Sequence, residues 1–387
     1  MEFRESVNAV ETCLKELQEN HHDVVLYGAG YCGHEALSLM AAHNIPVRAV
    51  CDDFRVGEKL DGYPILRMKD VPIAPQTVIF ITSGFNAKMK ERLKALSLLS
   101  HYREMDFGRY DGEKENAAYF KAHVKELNEA WALLSDERSR ANLQNLVNYR
   151  ISRDLRYLAG MEETNQYFPP KEDFSVSWGG RDVFLDLGAY DGDSLRAFIK
   201  YVGGRYQKII AVEASRKNYE RLLENTRELA NVHCIHIGIY KEQAQLSFEI
   251  NDAKNSFASE AGTALINVDS VDHILAGEKV TTVKMDIEGA EYDALLGMKD
   301  TLKAHPILMV SMYHKVEDLF RLQLLIEKMC PGVYHYYIRH YSPTIIETVL
   351  YAVPKEREAM RHTGGRKNHA ARDKREIEGW DKKNSAE

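Results

Sequence analysis

Short apolar runs that end in glycine or acidic residues recur along the chain and predict two sets of buried β-strands. Their content of Val, Ile and Leu is typical of parallel strands that are covered on both faces. Helical periodicity follows most of these runs, which is the alternation that builds α/β units with Rossmann-like sheets. The N-terminal set lies at 23–27, 46–51 and 77–82, and the C-terminal set lies at 183–186, 208–215 and 280–287.

The chain between and after these two sets has a different pattern. Residues 112–158 are rich in Ala, Leu, Glu, Lys and Arg without proline, which favours two or three helices, one of them starting at 135–137. Residues 334–340 and 347–352 alternate or run apolar, as the strands of a hairpin do, and the Ser-Pro-Thr segment at 342–344 supplies the turn.

A chain of 387 residues exceeds what one hydrophobic core usually organises, so we expect more than one domain. The predicted fold class is α/β, with two Rossmann-like domains at 1–108 and 181–354 joined by a helical bridge at 109–180. The densely charged segment 355–387 has few large apolar residues and is predicted to be disordered.

Composition narrows the class of protein. A hydrophobic share of 44% and a charged share of 28% fit a globular enzyme, and a net charge of −7 argues against a chain that coats nucleic acid. The sequence shows neither a signal peptide nor an apolar run near the ~20 residues of a membrane span, so we expect a cytoplasmic protein. The five cysteines are widely spaced, which favours reduced thiols.

The segment 183–195, VFLDLGAYDGDSL, predicts a strand followed by a glycine turn that suits a small-molecule cofactor. Gly188 and Gly192 permit backbone geometry that side chains would block, and the helix expected from Asp193 would direct its free N–H groups to the turn. The next predicted strand ends in Glu213, near the offset of a ribose-binding carboxylate. Capping of the following helix is the alternative role for Glu213.

The third predicted strand of this unit delivers Asp286 and Glu288 to its end, followed by Gly289 and Glu291. Asp186, Glu213 and Asp286 thus stand at the ends of three successive predicted strands. Ligands of open α/β sheets bind at such strand ends, so we expect these side chains to belong to one site.

The segments DLGAYDGDS, AVEAS and KMDIEGAEYDALLG resemble the motifs of the FkbM family of S-adenosylmethionine-dependent methyltransferases. The resemblance continues through 309–319 and 337–354 and covers roughly 181–354. It implies a Rossmann-like sheet that ends in an antiparallel hairpin, and S-adenosylmethionine as cofactor. It also implies that Asp186, Gly188 and Gly192 surround the methionine part, that Glu213 holds the ribose and that Asp286 stands beside the methyl group. Tyr190 and Asp191 belong to the same turn and are included in the expected cofactor site.

A dinucleotide is the alternative ligand for this turn. The turn reads G-A-Y-D-G where a dinucleotide site usually has G-x-G-x-x-G, and Asp191 would repel a pyrophosphate. The same acid is compatible with a positively charged sulfonium and α-amino group, which favours the methyl donor.

Methyl transfer to a hydroxyl oxygen requires positioning and removal of a proton, for which Asp286, Glu288 and His314 are the candidates. A carboxylate near a positive cofactor is a poor base, whereas imidazole is neutral and basic near pH 7, so His314 is the preferred base. An ordinary strand-end histidine is the alternative. We assign no metal ligands, because no zinc-type spacing is present, and a Mg²⁺ ion bridging Asp286 or Glu288 to the substrate stays open.

The N-terminal unit contains a second glycine turn with the full dinucleotide spacing, Gly28, Gly30 and Gly33, between a predicted strand and helix. Asp52 and Asp53 follow the next strand, near the ribose-binding offset. Together with 47–66, the turn resembles the nucleotide-sugar-binding domain of certain bacterial sugar acyltransferases, which implies a nucleotide or nucleotide-sugar ligand. A degenerate domain kept for assembly is the alternative.

The aromatic segment 166–170, QYFPP, ends the bridge and is expected either to act as a lid over the site or to be buried against the sheet.

The sequence as a whole predicts methylation of a hydroxyl on a sugar, glycan or other metabolite. The alternatives are a nucleotide-sugar-binding protein with a non-catalytic methyltransferase fold and an NAD-dependent sugar-nucleotide oxidoreductase. The acceptor cannot be identified from the sequence, and a homo-oligomer stays open.

Overall fold

The computed structural model describes residues 1, 3–5, 7–83, 86–108, 111–170, 178, 180–249, 257–258 and 264–357. The tail that the sequence predicts to be disordered lies, beyond residue 357, outside the described residues.

The N-terminal unit is a six-stranded α/β sheet in the strand order β3-β4-β2-β1-β5-β6. The central strands are parallel, as the apolar runs predict, and all side chains of β1 after Asp23 are buried. The elements are α1 (Ala9–Glu19), β1 (Asp23–Tyr27), α2 (Tyr31–Ala42), β2 (Val47–Cys51), β3 (Lys59–Leu60), β4 (Tyr63–Leu66), β5 (Thr77–Ile81), α3 (Asn86–Ala95) and β6 (Tyr102–Arg103).

Three helices follow: α4 (Ala117–Ala122), α5 (Val124–Leu133) and α6 (Glu137–Ser152). Helix α6 begins where the sequence predicts, because the side chain of Asp136 accepts the N–H of Ser139 at 2.7 Å and caps the first turn. The helices do more than connect two domains. Leu127 and Leu143 are fully buried in the same hydrophobic cluster as Val283 of the C-terminal sheet, so the helices form a layer of that domain.

The C-terminal unit is built on a seven-stranded sheet in the order β16-β17-β15-β14-β7-β8-β9. Its elements, with those of a small adjoining sheet, are β7 (Val183–Leu187), α7 (Asp193–Tyr201), β8 (Lys208–Glu213), α8 (Arg216–Thr226), β9 (Val232–His236), β10 (Gly238–Ile239), β11 (Ala244–Glu249), β12 (Phe257–Ala258), β13 (Ala264–Asp269), α9 (Val271–Leu275), β14 (Thr282–Met285), α10 (Glu291–Leu296), α11 (Lys299–Leu302), β15 (Ile307–Ser311), α12 (Asp318–Met329), β16 (Tyr334–His340) and β17 (Thr348–Pro354).

Strands β9, β8, β7, β14 and β15 are parallel, whereas β17 and β16 add an antiparallel hairpin at one edge. The predicted fold class, with its closing hairpin, is therefore confirmed. Within the hairpin connection, the backbone N–H of Thr344 donates to the hydroxyl of Ser342 at 3.2 Å.

The register of the three central strands brings their carboxyl ends level. Leu187 of β7 pairs with Met285 of β14 on one side and with Val212 of β8 on the other. The next residues along the chain, Gly188, Asp286 and Glu213, therefore meet at one edge of the sheet.

A second, four-stranded sheet in the order β10-β13-β11-β12 is inserted after β9 and was not expected from the sequence. Its strands are short, and the apolar side chain of Leu265 in β13 is exposed, so the region lacks the continuous buried pattern that marks the main strands. Among the helices of the described ranges, none is both long and apolar enough to cross a membrane.

A buried ion cluster joins the end of the N-terminal unit to the helical layer. Glu115 and Arg153 have fully buried side chains, and Arg153 donates to a carboxylate oxygen of Glu115 at 2.8 Å. Arg153 also donates to the backbone carbonyl of Asp106 at 3.2 Å, and Arg150 pairs with the other oxygen of Glu115. The first residues of the chain also lie on this layer, since the N–H of Arg4 donates to Asn148 at 2.8 Å.

Candidate active site

A cavity of about 740 Å³ opens at the carboxyl edge of the C-terminal sheet, where β14, β7 and β8 end. This volume suits an organic cofactor together with a small substrate. The small sheet supplies one wall through Gly238, Ile239, Leu246, Ile266 and Val268. The polar and charged side chains in the wall are Gln166, Tyr167, Tyr190, Asp193, Ser194, Glu213, Ser215, Asn218, Tyr240, Gln245, Lys284, Asp286, Glu288, Asp293, Tyr313, Lys315 and Glu347.

Gly188 makes the closest backbone approach in this wall. Its φ is +78°, and a Cβ placed there would lie 1.8 Å from the carbonyl oxygen of Asp286. Only glycine fits this position, because any larger residue would push β7 and β14 apart. Gly192, with φ +89°, stands at the start of α7 and is not among the wall residues.

Asp186 lies beneath the turn instead of in the wall. Its carboxylate is fully buried, accepts the hydroxyl of Ser194 at 2.5 Å and lies 3.3 Å from the ammonium of Lys284. Burial raises the pKa of Asp186, and the charge of Lys284 opposes that rise. Asp186 therefore holds the first turn of α7 and the neighbouring strand in place.

Lys284 also belongs to the site, although the sequence motifs do not indicate it. Burial acts to lower its pKa, but the charges of Asp186 and Asp286 outweigh burial and raise it. The ammonium donates to the carbonyl of Gly188 at 2.7 Å and lies 5.4 Å from the ring centre of Tyr167. A lysine in the middle of the buried run 280–287 was the available signal, since lysine is rarely buried unless it is paired.

Glu213 occupies the end of β8 and faces the cavity. It accepts the backbone N–H of Tyr190 at 2.9 Å and that of Ser215 at 2.8 Å, so its orientation is determined by two loops. Burial raises its pKa, and both backbone hydrogen bonds oppose the rise. Each carboxylate oxygen can still accept a further hydrogen from a ligand.

Asp191 is directed away from this wall. Its carboxylate pairs with Arg196 at 3.0 Å on the surface, and it is not among the residues that line the cavity. The expected repulsion between Asp191 and a pyrophosphate is therefore weakened by the arginine.

Asp286 stands opposite Glu213, with both carboxylate oxygens engaged. One oxygen accepts the hydroxyl of Tyr167 at 2.9 Å, and the other accepts that of Tyr313 at 3.2 Å. Burial by itself would raise the pKa of Asp286, but the positive charges of Lys284 and His314 outweigh it and hold the pKa below its usual range. Asp286 is therefore an anion at the cavity wall.

His314 is buried behind Asp286 and not in the wall. Its Nδ1 lies 2.9 Å from Glu291, and its Nε2 lies 3.5 Å from both Asp286 and Glu288. Burial acts to lower its pKa, but Glu291 and then the other two carboxylates raise it to about 9. The expected neutral imidazole near pH 7 does not fit this environment, because three carboxylates surround the ring.

The two aromatic residues of the segment 166–170 lie in different places, one in the cavity wall and one in the core. Tyr167 is 7% exposed and contributes its hydroxyl to the cavity wall. The ring of Phe168 packs instead against Phe184, Phe198 and Tyr201, which places it in the core below the sheet. Motion of this segment as a lid stays a prediction.

Four non-glycine residues of the cavity wall have the left-handed backbone conformation: Tyr167, Tyr190, Glu288 and Glu347, with φ between +50° and +66°. This conformation costs roughly 1–3 kcal/mol for each such residue and persists only where the surrounding structure enforces it. Its recurrence around one cavity supports a functional role for these side chains. Glu347 comes from the hairpin connection and was not foreseen from the sequence.

The N-terminal glycine turn has the geometry that its spacing predicts. Gly28 has φ +124°, and a Cβ there would lie 2.5 Å from the carbonyl oxygen of Thr82. A Cβ on Gly33 would lie 2.4 Å from the carbonyl oxygen of Gly28, so helix α2 packs directly on the turn. Gly30 is the residue that precedes the first turn of α2.

The two acids expected to bind a ribose at this turn have partners within the protein. Asp52 accepts the N–H of Ala29 at 3.1 Å and that of Phe54 at 2.9 Å, whereas Asp53 accepts hydrogen bonds from Tyr27 and Arg92. Nucleotide binding at this turn stays a prediction, and a nucleotide would have to share or displace these contacts.

Residues 186–331 match a family model described as Methyltransferase FkbM domain. The matched segment contains Asp186, Gly188, Glu213, Asp286 and His314. No curated protein sequence matches the chain.

Among solved structures, the chain is similar to the methyltransferase FkbM from Methylobacillus flagellatus KT, with a TM-score of 0.68 and 21% sequence identity. The match covers 90% of this chain and 94% of that protein, so it extends over the N-terminal unit as well as the C-terminal one. At this identity the likeness concerns the fold. A weaker match is a fibrillarin from Aeropyrum pernix in complex with S-adenosyl-L-methionine, with a TM-score of 0.31, 14% identity and coverage of 46% of this chain and 69% of that one.

Proposed function

We propose, from the FkbM methyltransferase domain at residues 186–331, that the protein transfers a methyl group from S-adenosylmethionine to a hydroxyl group of a small metabolite. One observation carries the proposal. The strand order β14-β7-β8 brings Asp286 and Glu213 to opposite sides of the Gly188 turn, at the mouth of a cavity large enough for the methyl donor and an acceptor.

The cofactor half of the cavity is proposed to extend from Gly188 to the small sheet. Glu213 would accept the ribose hydroxyls, since its carboxylate is held toward the cavity by the N–H groups of Tyr190 and Ser215. The apolar side chains of Ile239 and Ile266 would cover the adenine. Asp286 would stand beside the sulfonium, where a fixed negative charge stabilises a positive group.

The acceptor half is proposed to lie between Asp286, Glu288 and Glu347. S-adenosylmethionine supplies an electrophilic methyl group on a sulfonium. The acceptor oxygen bonds to the methyl carbon as the carbon–sulfur bond breaks, the bonding electron pair stays on sulfur, and the hydroxyl proton passes to a carboxylate. Glu288 is the proposed proton acceptor, because it lines the cavity whereas His314 lies behind the wall.

A sugar is the proposed class of acceptor. The wall of the cavity that contains Glu288 also offers the carboxylates of Asp293 and Glu347, the amide of Gln166 and the hydroxyl of Tyr313. A polyhydroxylated molecule can donate hydrogen bonds to such acceptors, while the same carboxylates repel phosphate or carboxylate groups.

Calorimetric titration of the full chain with S-adenosylmethionine tests the cofactor assignment. We expect Glu213→Gln to weaken binding at least about tenfold, because hydrogen bonds to a charged group contribute about 1.5–3 kcal/mol. The control is Glu220→Gln, which removes a carboxylate 62% exposed on the nearby helix α8 and should leave the affinity unchanged.

Titration with NAD under the same conditions separates the oxidoreductase alternative. Tight binding of NAD together with no binding of S-adenosylmethionine or S-adenosylhomocysteine would reject the proposal. A methyltransferase fold kept only for recognition would bind the donor without transferring radiolabelled methyl to any of a panel of sugars and nucleotide sugars.

A further inference from the structure

We propose that Asp286, Glu291 and His314 form a binding site for one divalent transition-metal ion, at the acceptor end of the cavity. Metal binding at this site goes beyond the methyl-transfer proposal and does not depend on it, whereas the placement of the ion beside an acceptor does. Each of the three residues offers one ligand atom, and these atoms lie within 4.8 Å of one another. Ligands of one ion held at about 2.0–2.2 Å are separated by roughly 3–4 Å, so small side-chain rotations complete the site.

A second observation comes from Glu291, whose side chain is fully buried. Its Oε1 accepts the N–H of Ile287 at 2.9 Å and faces Nδ1 of His314. Its Oε2 is buried and makes no hydrogen bond to any residue that the structure describes. A buried carboxylate oxygen without a partner is costly, and a bound cation removes that cost.

The charges around His314 point in the same direction. Three carboxylates, those of Asp286, Glu288 and Glu291, lie within 3.5 Å of its ring nitrogens. A histidine that ligates a metal ion is neutral, so the imidazole of a loaded site balances none of these negative charges. The nearby ammonium of Lys284 is already matched by Asp186 at 3.3 Å. A divalent ion would supply positive charge among these carboxylates.

Of the three proposed ligands, Asp286 is the one that reaches the cavity. Asp286 lies in the cavity wall with 23% of its side chain exposed, whereas His314 and Glu291 are at 2% and 0%. An ion bound here would therefore have protein ligands behind it and open positions toward an acceptor. This is the arrangement of catalytic metal sites, in which three protein ligands leave a position for substrate.

The donor set selects the class of ion. One imidazole nitrogen with two carboxylate oxygens suits Mn²⁺, Fe²⁺ or Zn²⁺, whereas Mg²⁺ prefers oxygen donors alone. A metal ion lowers the pKa of a hydroxyl bound to it. An acceptor hydroxyl on this ion would release its proton more readily to Glu288, which lines the cavity beside Asp286.

Metal binding is measured directly on the full chain, without donor or acceptor. The protein is treated with a chelator and dialysed, and Mn²⁺ is titrated while free Mn²⁺ is followed by electron paramagnetic resonance. A second sample of the chelator-treated protein is dialysed against Zn²⁺, and the bound Zn²⁺ is measured by mass spectrometry. We expect one equivalent of ion per chain, and at least about a tenfold loss of affinity in Glu291→Gln and in His314→Asn.

His273→Asn is the matched control. It removes another histidine that lies 2.6 Å from a carboxylate, that of Asp269, but on the surface with 69% of the imidazole exposed. Its Mn²⁺ binding should equal that of the unaltered chain. Circular dichroism identifies a variant that fails to fold, and the stoichiometry of the unaltered chain then decides the question.

The proposal is overturned if the unaltered chain binds neither Mn²⁺ nor Zn²⁺ stoichiometrically, or if Glu291→Gln and His314→Asn both fold and bind as tightly as His273→Asn. Titration with S-adenosylmethionine is a separate measurement. If the protein binds S-adenosylmethionine but no metal ion, the metal-site proposal is wrong. If it binds the metal ion but not S-adenosylmethionine, the methyl-transfer proposal is wrong.

Discussion

At the scale of single residues, Lys284 connects the parts of the chain that form the cavity wall. It lies opposite Asp186 in the parallel register of β14 and β7, so the two side chains leave the sheet on the same face. Their ion pair is buried, and the ammonium also contacts the carbonyl of Gly188. The pair thereby connects the glycine turn, β14 and the first turn of α7 through Ser194.

Lys284→Met should lower the free energy of unfolding by about 3–5 kcal/mol, because it leaves the buried carboxylate of Asp186 without its partner. Urea denaturation measures this change. Lys208→Met removes an exposed pair with Glu278 and should change stability little. The double variant Asp186→Asn, Lys284→Met should regain part of the loss, and strict additivity of the two single changes would contradict this account.

At the scale of elements, the hairpin of β16 and β17 places a neutral histidine in the core. His340 is fully buried, and its Nδ1 lies 2.8 Å from the hydroxyl of Thr348 on the partner strand. Burial lowers the pKa of His340 to about 4. The imidazole is therefore neutral in the folded protein at pH values where the unfolded chain binds a proton.

The hairpin should lose stability as the pH falls. Since the folded pKa lies below the unfolded value near 6.5, the contribution of His340 is complete above pH 6.5 and declines toward pH 4. Between pH 7.5 and pH 5.5 the stability difference between the unaltered chain and His340→Gln should shrink by about 1.3 kcal/mol. Urea denaturation at the two pH values measures it, and a difference independent of pH would show that His340 does not titrate this way.

At the scale of the whole molecule, the cluster around Glu115 connects the two α/β units to the active site. Arg153 binds Glu115 and the carbonyl of Asp106, at the end of the N-terminal unit. Arg150 binds the same carboxylate and donates to the carbonyl of Tyr313 at 2.9 Å. Tyr313 in turn contacts Asp286 in the cavity wall.

Glu115→Gln should destabilise the protein by about 3–5 kcal/mol, because two buried guanidinium groups lose their shared counter-charge. Thermal unfolding of the full chain measures this, and we expect the N-terminal unit to unfold before the C-terminal one in the variant. Glu137→Gln is the control, since its pair with Arg140 is on the surface with 89% of the Glu137 side chain exposed. Equal melting curves for the two variants would show that the cluster does not join the units.

Much of the site follows from local sequence. The glycine turn at Gly188 and the carboxylates Glu213 and Asp286 at strand ends are short-range features, because each depends on a strand and its next few residues. Lys284, Glu291 and Glu347 could not be assigned in this way. Their roles depend on residues far along the chain, such as Asp186 for Lys284 and His314 for Glu291.

Apolar periodicity and turn residues act over a few residues, so the sequence is enough to predict two α/β units and a helical segment between them, and the family resemblance adds a closing hairpin. Three features depend on contacts between distant residues: the helices form a layer of the C-terminal domain, a small sheet forms one wall of the cavity, and His314 lies among three carboxylates. Strand order and packing bring distant residues together, and the resulting burial and charge set the ionisation of each group.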